Sequence, residues 1–298
     1  MGTEDKGAGH GGTKISHDGT KWNYANVKYW PIGSLNFYAV SPVPKSDDDP
    51  IFYTWQISQT AKKINYLSPD EYGTESLPYV DVMYAIATNK SKADGTVQLQ
   101  FKHITSQIVF RAKKQSIENL NVLIKSIKLH NFETNGVFTI PTNRTDLQPM
   151  QSDWKGQSHS YTCALTVINK DDNDPITIST EESDISSSKP MFLIPQKLNA
   201  WNASHDINTA KTNKESYLSI DCKISIGDVY YSGSESSYGK LYVPFGADWE
   251  PGKRYVYTLI FGGGYDEHGQ PILTPITFEP SVEDWPTDEN SKKSDIDL

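Results

Sequence analysis

The sequence predicts an all-β protein, and three observations support that fold class. Aromatic residues are frequent, with 17 Tyr, 10 Phe and 7 Trp among 298 residues, and such side chains suit the pleated, half-buried surface of a strand. Short runs in which apolar and polar residues alternate recur along the chain, separated by residues typical of turns. No run longer than about ten residues repeats with the period of a helix.

The first half of the chain contains one set of predicted strands. Residues 1–20 are polar and rich in glycine, and we expect them to be disordered. Strands are predicted at 34–40, 51–57, 80–87, 95–103, 108–112 and 123–129, the first of them buried. Residues 58–78 carry weak signals and are expected to form a long loop. Asn135-Gly136 lies between two β-like runs and predicts a hairpin, because both turn residues tolerate positive φ.

A second set of strands follows a predicted linker at 141–158, with Trp154 packing at the junction. These strands are predicted at 160–168, 176–179, 191–194, 215–226, 240–243, 255–261 and 276–278, and Gly262-Gly263-Gly264 predicts a hairpin tip. Two sets of about seven strands predict two β-sandwiches in tandem. We therefore expect a flexible segment at 1–21, an N-terminal domain at 22–155 and a C-terminal domain at 156–298.

The bulk composition argues against several kinds of partner. The net charge is −9 and no Lys/Arg stripe is present, which disfavours nucleic acids and anionic membranes. No apolar run reaches the roughly 18 residues of a membrane-spanning helix.

The two cysteines leave two alternatives open. Cys163 and Cys222 each lie in phase with the apolar residues of an alternating run, so both are expected to point inward. They form either two buried free thiols or a disulfide across one sandwich.

Metal-binding and catalytic signatures are weak throughout. The seven His residues lack metal-ligand spacing, and His103 and His130 are expected to be polar residues at strand edges. The acidic runs 47–49 and 171–174 suit solvated loops better than a calcium site, since their spacing fails the EF-hand pattern. No nucleophile motif is present and no carboxylate pair stands out. We expect no catalytic residue, no metal and no cofactor, and hence no enzyme.

Two aromatic clusters are the only candidates for a ligand platform. One contains Trp22, Tyr24, Tyr29 and Trp30, and the other contains Tyr230, Tyr231 and Tyr238. Exposed aromatic rings can stack on sugars, which would make a carbohydrate-binding surface. The alternative is that these rings close cores or interfaces. Tyr230 and Tyr231 are adjacent and would point to opposite faces of a regular strand.

Six segments resemble Bacteroidetes fimbrillin-like proteins, and they occur in that family's order. They are YWP at 29–31 with LNFYAVSP at 35–42, YVDVMYA at 79–85, VQLQFKHI at 97–104 with IVF at 108–110, MFLIPQ at 191–196, WEPGKRYVY at 249–257, and VEDW at 282–285. Each segment alone is weak, whereas six in order over about residues 22–285 make a specific match.

The resemblance implies two sandwiches of transthyretin-like, Greek-key character. It also implies export as a lipoprotein to the outer membrane, display on the cell surface, and a role as a fimbrial (pilus) subunit or a tip or stalk adhesin. The expected partners are other fimbrial subunits, joined by donor-strand exchange, in which a strand from one subunit fills a groove in the next. A host or bacterial surface glycan or protein is a further expected partner.

The two ends of the chain depart from the family pattern. A lipobox cysteine and one or two strands are expected before Trp22, where about 20 polar residues stand. No signal peptide opens the sequence, so we expect Met1 and Gly2 to be cloning remnants. The end, residues 291–298, is predicted to form a short terminal strand, the start of a donor segment, or a frayed tail.

Overall fold

The computed structural model describes most of the chain. The described residues are 13–20, 22–24, 28–42, 53–57, 62–68, 80–156, 164–169, 175–186, 191–262, 266–270, 276–284 and 295–296. Cys163, both acidic runs and most of the triple glycine lie outside them.

Within these residues strands make up nearly all of the regular secondary structure, which confirms the all-β prediction. The strands of the first half are β1 Ile15–His17, β2 Trp22–Tyr24, β3 Leu35–Ser41, β4 Tyr53–Ile57, β5 Lys62–Leu67, β6 Met83–Lys90, β7 Val97–Gln98, β8 Lys102–His103, β9 Ser106–Lys114, β10 Leu120–His130, β11 Asn135–Thr139 and β12 Trp154–Gly156. Those of the second half are β13 Ala164–Asn169, β14 Ile176–Thr177, β15 Ser183–Asp184, β16 Met191–Leu193, β17 Lys197–Leu198, β18 Tyr217–Ile226, β19 Val229–Ser232, β20 Gly239–Pro244, β21 Ala247–Asp248, β22 Lys253–Phe261, β23 Thr277–Asp284 and β24 Asp295–Ile296. One α-helix, α1 Ile207–Asn213, and two single-turn 3-10 helices, Lys92–Asp94 and Gln151–Asp153, complete the described elements.

The larger sandwich packs two sheets face to face. One sheet has the order β13-β10-β18-β19, with β14 and β20 also paired to β10 and β18 respectively. The other has the order β15-β9-β22-β23, with β16 beside β9, and its β9 and β22 run parallel. Alternate residues of both sheets meet in one buried cluster that includes Phe110, Leu218, Trp249 and Leu259. Successive side chains of a strand point to opposite faces of its sheet, so apolar residues face the core and polar residues face solvent.

The smaller sandwich is built from the sheets β12-β11-β5-β4 and β3-β6-β8. Its central cluster includes Ile64, Tyr84, Ile104 and Phe138. A further small cluster lies on the other face of the β3-β6 pair, where Ala85 and Ala87 meet half-buried aromatic residues.

The chain enters the larger sandwich before residue 155. Strands β9 and β10 pair with β22 and β18, and only then do β11 and β12 return to the smaller sandwich. The two packed units therefore interleave along the sequence, and strand pairing does not divide at the predicted boundary near 155. Where the domains divide stays a prediction.

The predicted hairpin at Asn135-Gly136 is wrong, because both residues lie inside β11. Gly136 pairs with Tyr66 on one side and with Gly156 on the other. A Cβ at Gly136 would lie 3.1 Å from the Lys155 carbonyl oxygen and 3.2 Å from Ile194 Cδ1. Glycine is needed here for close packing in the middle of a sheet, and the Asn-Gly pair carries no turn.

Other predictions fail in smaller ways. Residues 62–67 form β5 within the expected long loop, and Ile15–His17 form β1, paired with β2, within the segment expected to be disordered. Strand β3 is half-buried instead of buried, since β6 covers one edge only. The strand expected at 95–103 is divided into β7 and β8.

The short helix α1 was not expected, because seven residues are too few to show a helical period. Its N-cap Asp206 accepts a hydrogen bond from the Thr209 backbone N–H at 2.9 Å. Ile207 and Ala210 pack with Trp201 and Tyr217 in a small buried cluster. Helix α1 therefore covers part of the outer face of β18.

The predicted linker is a structured loop held by Arg144. Its guanidinium donates to both carboxylate oxygens of Asp153, at 2.8 and 2.6 Å, and to the carbonyl oxygens of Asp146 and Gln148. The Trp154 indole that follows packs on Tyr66 and donates to the Ile104 carbonyl at 2.9 Å. One fork-shaped cation thus satisfies several carbonyls and fixes the path between β11 and β12.

Candidate functional site: an open sheet edge and an exposed tyrosine strand

The first candidate site is the edge strand β3 of the smaller sandwich. β3 pairs with β6 along one edge, and among the described residues no strand pairs with its other edge. Residues 37–40 are all half-buried; Phe37 and Ala39 pack on the small cluster, and Val40 packs on the central cluster on the opposite face. Unpaired backbone groups beside half-covered apolar side chains form the geometry that an added strand completes.

The second feature is the terminal strand β24. Asp295 and Ile296 pair antiparallel with Gln98 and Val97 of β7, so these two residues form the short terminal strand that was one of three alternatives. Two residue pairs hold a strand weakly, since isolated short pairings are marginal in water.

The third feature is β19, an edge strand of the larger sandwich that carries exposed aromatic rings. Val229, Tyr230 and Tyr231 are 60%, 41% and 39% exposed. Tyr230 lies opposite Ser225 and Ser232 lies opposite Ile224, which leaves Tyr231 as an extra residue at a bulge. A bulge breaks the strict alternation that the sequence argument assumed. Both rings therefore reach solvent, and neither closes a core.

The loop between β19 and β20 places Tyr238 over the outward face of the sheet. The Lys223 ammonium lies 4.9 Å and the Lys125 ammonium 5.8 Å from the centroid of the Tyr238 ring. Lys223 also donates to the Glu235 carbonyl at 2.6 Å. The structure thus brings Tyr238 together with two lysines from neighbouring strands, and cation–π attraction favours that arrangement.

Lys125 and Lys223 were not singled out from the sequence. Lys223 alternates with the buried Cys222 and Ile224, so its outward direction could be predicted. Lys125 sits where the register of β10 shifts between Ile124 and Ser126, and no local sequence signal marks that shift.

Cys222 is buried on the inner face of β18. Its Sγ lies 3.8 Å from the Ser232 hydroxyl, and burial raises the pKa of the thiol to about 12. A thiol with so high a pKa is a poor nucleophile at neutral pH. Cys163 lies outside the described residues, so a disulfide between the two stays a prediction.

The two strand histidines have structural partners. His103 Nδ1 lies 2.9 Å from an Asp81 carboxylate oxygen. His130 stacks on Tyr217 with ring centroids 4.5 Å apart, and its Nε2 lies 2.7 Å from the Ser219 hydroxyl. Burial, followed by the charges of nearby lysines, lowers the pKa of His130 to about 3.

The N-terminal aromatic cluster is divided between packing and exposure. Trp22 and Trp30 are half-buried and pack on the small cluster beside β3 and β6. Tyr29 is 89% exposed, and the side chain of Tyr24 lies outside the described residues.

Two features are absent from the described residues: a cluster of metal ligands and a helix that could span a membrane. No three His, Cys, Asp or Glu side chains among them gather closely enough to hold a metal ion. None of the helices that the structure describes is both long and apolar enough to cross a membrane.

The fold and these surfaces define an all-β sandwich protein that presents sheet edges and aromatic side chains to solvent. The chain belongs to the fimbrillin-like family, whose model matches residues 2–285. The resemblance seen in six short segments is thereby confirmed over nearly the whole chain.

The chain is similar to solved structures, one of which shares its fold. A fimbrial protein from Bacteroides vulgatus ATCC 8482 superposes with a TM-score of 0.61 at 16% identity, covering 91% of this chain and 84% of that one. A candidate cell adhesion protein from Bacteroides ovatus ATCC 8483 gives a TM-score of 0.45 at 17% identity, covering 93% of this chain and 76% of that one. No curated protein matches the sequence significantly.

Proposed function

We propose that the chain is a fimbrial (pilus) subunit or a tip or stalk adhesin of the cell surface, with a structural and not a catalytic role. The observation that carries the proposal is the family match over residues 2–285. The solved fimbrial protein of the same fold supports it. Export as an outer-membrane lipoprotein belongs to the same proposal and follows from the family resemblance.

The proposed partners are other subunits of the same fimbria, joined by β-strand donation. The open edge of β3 supplies unpaired backbone groups and half-covered apolar side chains that a donated strand would cover. The end of the chain, which includes β24, is the proposed donor, because among the described residues its strand pairing consists of two residue pairs with β7. In this scheme Ile296 would place its side chain in the acceptor groove.

The experiment is to trim the chain by limited proteolysis ahead of β3 and follow its molecular mass by light scattering. We expect oligomers to form after trimming, and to be lost when residues 286–298 are deleted. A peptide of residues 286–298 should bind the deleted form and raise its melting temperature, whereas the same peptide with Ile296→Asp should not. A chain that stays monomeric under every trimming would rule out the polymerising subunit and leave the tip or stalk adhesin.

A second candidate function is carbohydrate binding at the cell surface. The observation that favours it is the exposure of Tyr230 and Tyr231 on the edge strand β19, beside Tyr238. Exposed rings on a rigid strand present flat apolar faces of the kind that sugars stack on. A glycan array with Tyr230→Ala and Tyr231→Ala variants tests it, and binding unaffected by both changes would exclude these rings as the platform.

A further inference from the structure

The outward face of β10 and β18 gathers positive charge on an acidic protein. Lys125 and Lys223 flank the Tyr238 ring, so their ammonium groups lie within about 11 Å of each other. Lys128 and Lys240 follow on the same sheet, near enough to His130 that their charges help to lower its pKa. The chain as a whole carries a net charge of −9. The lysines of this face would therefore attract an anion, whereas the net negative charge of the whole chain would repel it.

Among the described residues near this face, the Asp221 carboxylate is engaged by two donors. Asp221 accepts from the Lys240 ammonium at 2.9 Å and from the Ser126 hydroxyl at 2.7 Å. Glu235 is exposed in the adjacent loop, and it is its backbone carbonyl that holds Lys223. Asp221 is two residues from Lys223 on the same side of β18, and its ion pair with Lys240 keeps its carboxylate engaged there.

The strand register adds an exposed ring to the same face. Lys223 and Ser225 are two residues apart on β18 and so point to the same side of the sheet, about 7 Å apart. Tyr230 lies directly opposite Ser225, and directly opposite residues share a face. We define Lys125, Lys223, Tyr230 and Tyr238 as the lysine–tyrosine face.

The loop beside this face is fixed before any ligand arrives. Gly233 has φ +75°, and a Cβ there would lie 2.6 Å from the Ser237 carbonyl oxygen, while a Cβ at Gly239 would lie 2.4 Å from the Gly233 nitrogen. The Ser234 N–H donates to the Ser237 carbonyl oxygen at 2.8 Å, and the Ser237 N–H donates to the Ser234 hydroxyl at 3.1 Å. A loop whose conformation is already held by such contacts loses little conformational entropy when a ligand binds.

We propose that the lysine–tyrosine face binds an acidic glycan, namely one whose sugar rings carry carboxylate groups. Ammonium groups bind carboxylates by charge-assisted hydrogen bonds, and the exposed Tyr230 ring offers an apolar face to a neighbouring sugar ring. The combination of two cations with an exposed ring distinguishes an acidic sugar from a simple anion and from a neutral sugar. The proposal rests on the second candidate function, carbohydrate binding, and assigns its ligand class.

The test measures binding of the full chain to oligomers of galacturonic acid and to the matched neutral oligomers of galactose by calorimetry. We expect the acidic oligomer to bind at least about tenfold more tightly at low salt, with a gap that shrinks as salt is added. The double variant Lys125→Gln/Lys223→Gln should remove that gap. Tyr230→Ala should weaken both oligomers. The control Lys63→Gln/Lys155→Gln makes the same charge change at exposed lysines of the smaller sandwich and should bind as the unaltered chain does.

Each outcome decides between the inference and the function on which it rests. Equal binding of both oligomers, unaffected by the lysine changes, overturns the acidic ligand and leaves carbohydrate binding. No binding of either oligomer overturns both. Tight binding of dextran sulfate that is insensitive to Tyr230→Ala would indicate simple ion exchange. Self-association that depends on Lys125 and Lys223, measured by sedimentation, would assign the face to a second copy of the chain. Either of the last two results overturns the proposal.

Discussion

The two sandwiches are made from similar strands, but they close to different degrees. In the larger one Phe110, Leu218, Trp249 and Leu259 have no exposed surface, and both sheets contribute to one continuous core. Among the described residues of the smaller one, eight apolar residues are buried in the central cluster and five more, such as Trp55 and Val40, are half-buried against them. The difference indicates where a partner's strand can bind. The closed core of the larger sandwich has no position for an added strand, whereas the β3 edge offers both backbone and side-chain contacts.

The largest expected effect is in the closed core. Trp249 is fully buried and its indole N–H donates to the Tyr257 hydroxyl at 2.8 Å. Trp249→Ala should lower the free energy of unfolding by about 3–5 kcal/mol in a urea titration, because it leaves a large cavity. The matched change in the smaller sandwich, Trp55→Ala, should cost only about 1–2 kcal/mol, since that ring is half-buried. Equal losses from the two changes would contradict the difference in closure.

Acid should weaken the larger sandwich through His130. The folded protein holds this imidazole neutral with a pKa of about 3, whereas the unfolded chain protonates it near its usual value of 6.5. Stability is therefore fully present above about pH 6.5 and is lost as the pH falls towards 3, by about 2–3 kcal/mol at pH 4.5.

The measurement is the free energy of unfolding against pH. His130→Gln should remove this part of the pH dependence. His268→Gln, a change at an exposed histidine, should retain it. A pH profile that His130→Gln leaves unaltered would show that another group controls acid sensitivity.

The smaller sandwich should be sensitive at Gly136. Its added Cβ would press on Lys155, Ile194 and Trp154, so Gly136→Ala should cost about 1–3 kcal/mol and shift the fluorescence of Trp154. Gly227→Ala is the control, because its φ of +57° strains the backbone while its Cβ would meet no atom within 4 Å. That change should leave the Trp154 emission where it was, and an equal shift in both variants would argue against the packing role.

The smallest expected effect is in the loop held by Arg144. Arg144→Ala should lower stability by about 1 kcal/mol and speed proteolysis within residues 141–150, because Asp153 and several carbonyls lose their donor. The control Arg111→Ala removes a more exposed ion pair with Glu182 at 3.1 Å and should cost less than about 0.5 kcal/mol. Proteolysis that is no faster in Arg144→Ala than in Arg111→Ala would contradict the role of the clamp.

Alternation of apolar and polar residues was enough to predict the fold class and most strands. It worked best where a strand faces one closed core, as in β10 and β18, because every second residue must then be apolar. It was weakest in the smaller sandwich. There β5 was missed, because it begins with two lysines and has only two buried residues, Ile64 and Tyr66, so its alternating pattern is short.

Long-range pairing set the features that the sequence could not predict. Asn135-Gly136 has ideal hairpin chemistry, yet its neighbours β5 and β12 hold it in a sheet, so tertiary context outweighed local preference. In the same way, Tyr230 and Tyr238 were recognised as aromatic candidates, but the contact of Tyr238 with Lys125 involves a register shift in β10, and the exposure of both Tyr230 and Tyr231 involves a bulge in β19. Neither irregularity has a signature in the local residues.

The parallel pair β9–β22 has a consequence for how the chain is made. β9 ends at Lys114, but the strand beside it begins only at Lys253, so the contact that closes the larger core joins distant parts of the sequence. Such high contact order slows folding, since a long loop must be ordered before the contact forms. Most of the polypeptide must leave the ribosome before this core can close. Until then the edge of β9 that β22 will occupy lacks its partner strand.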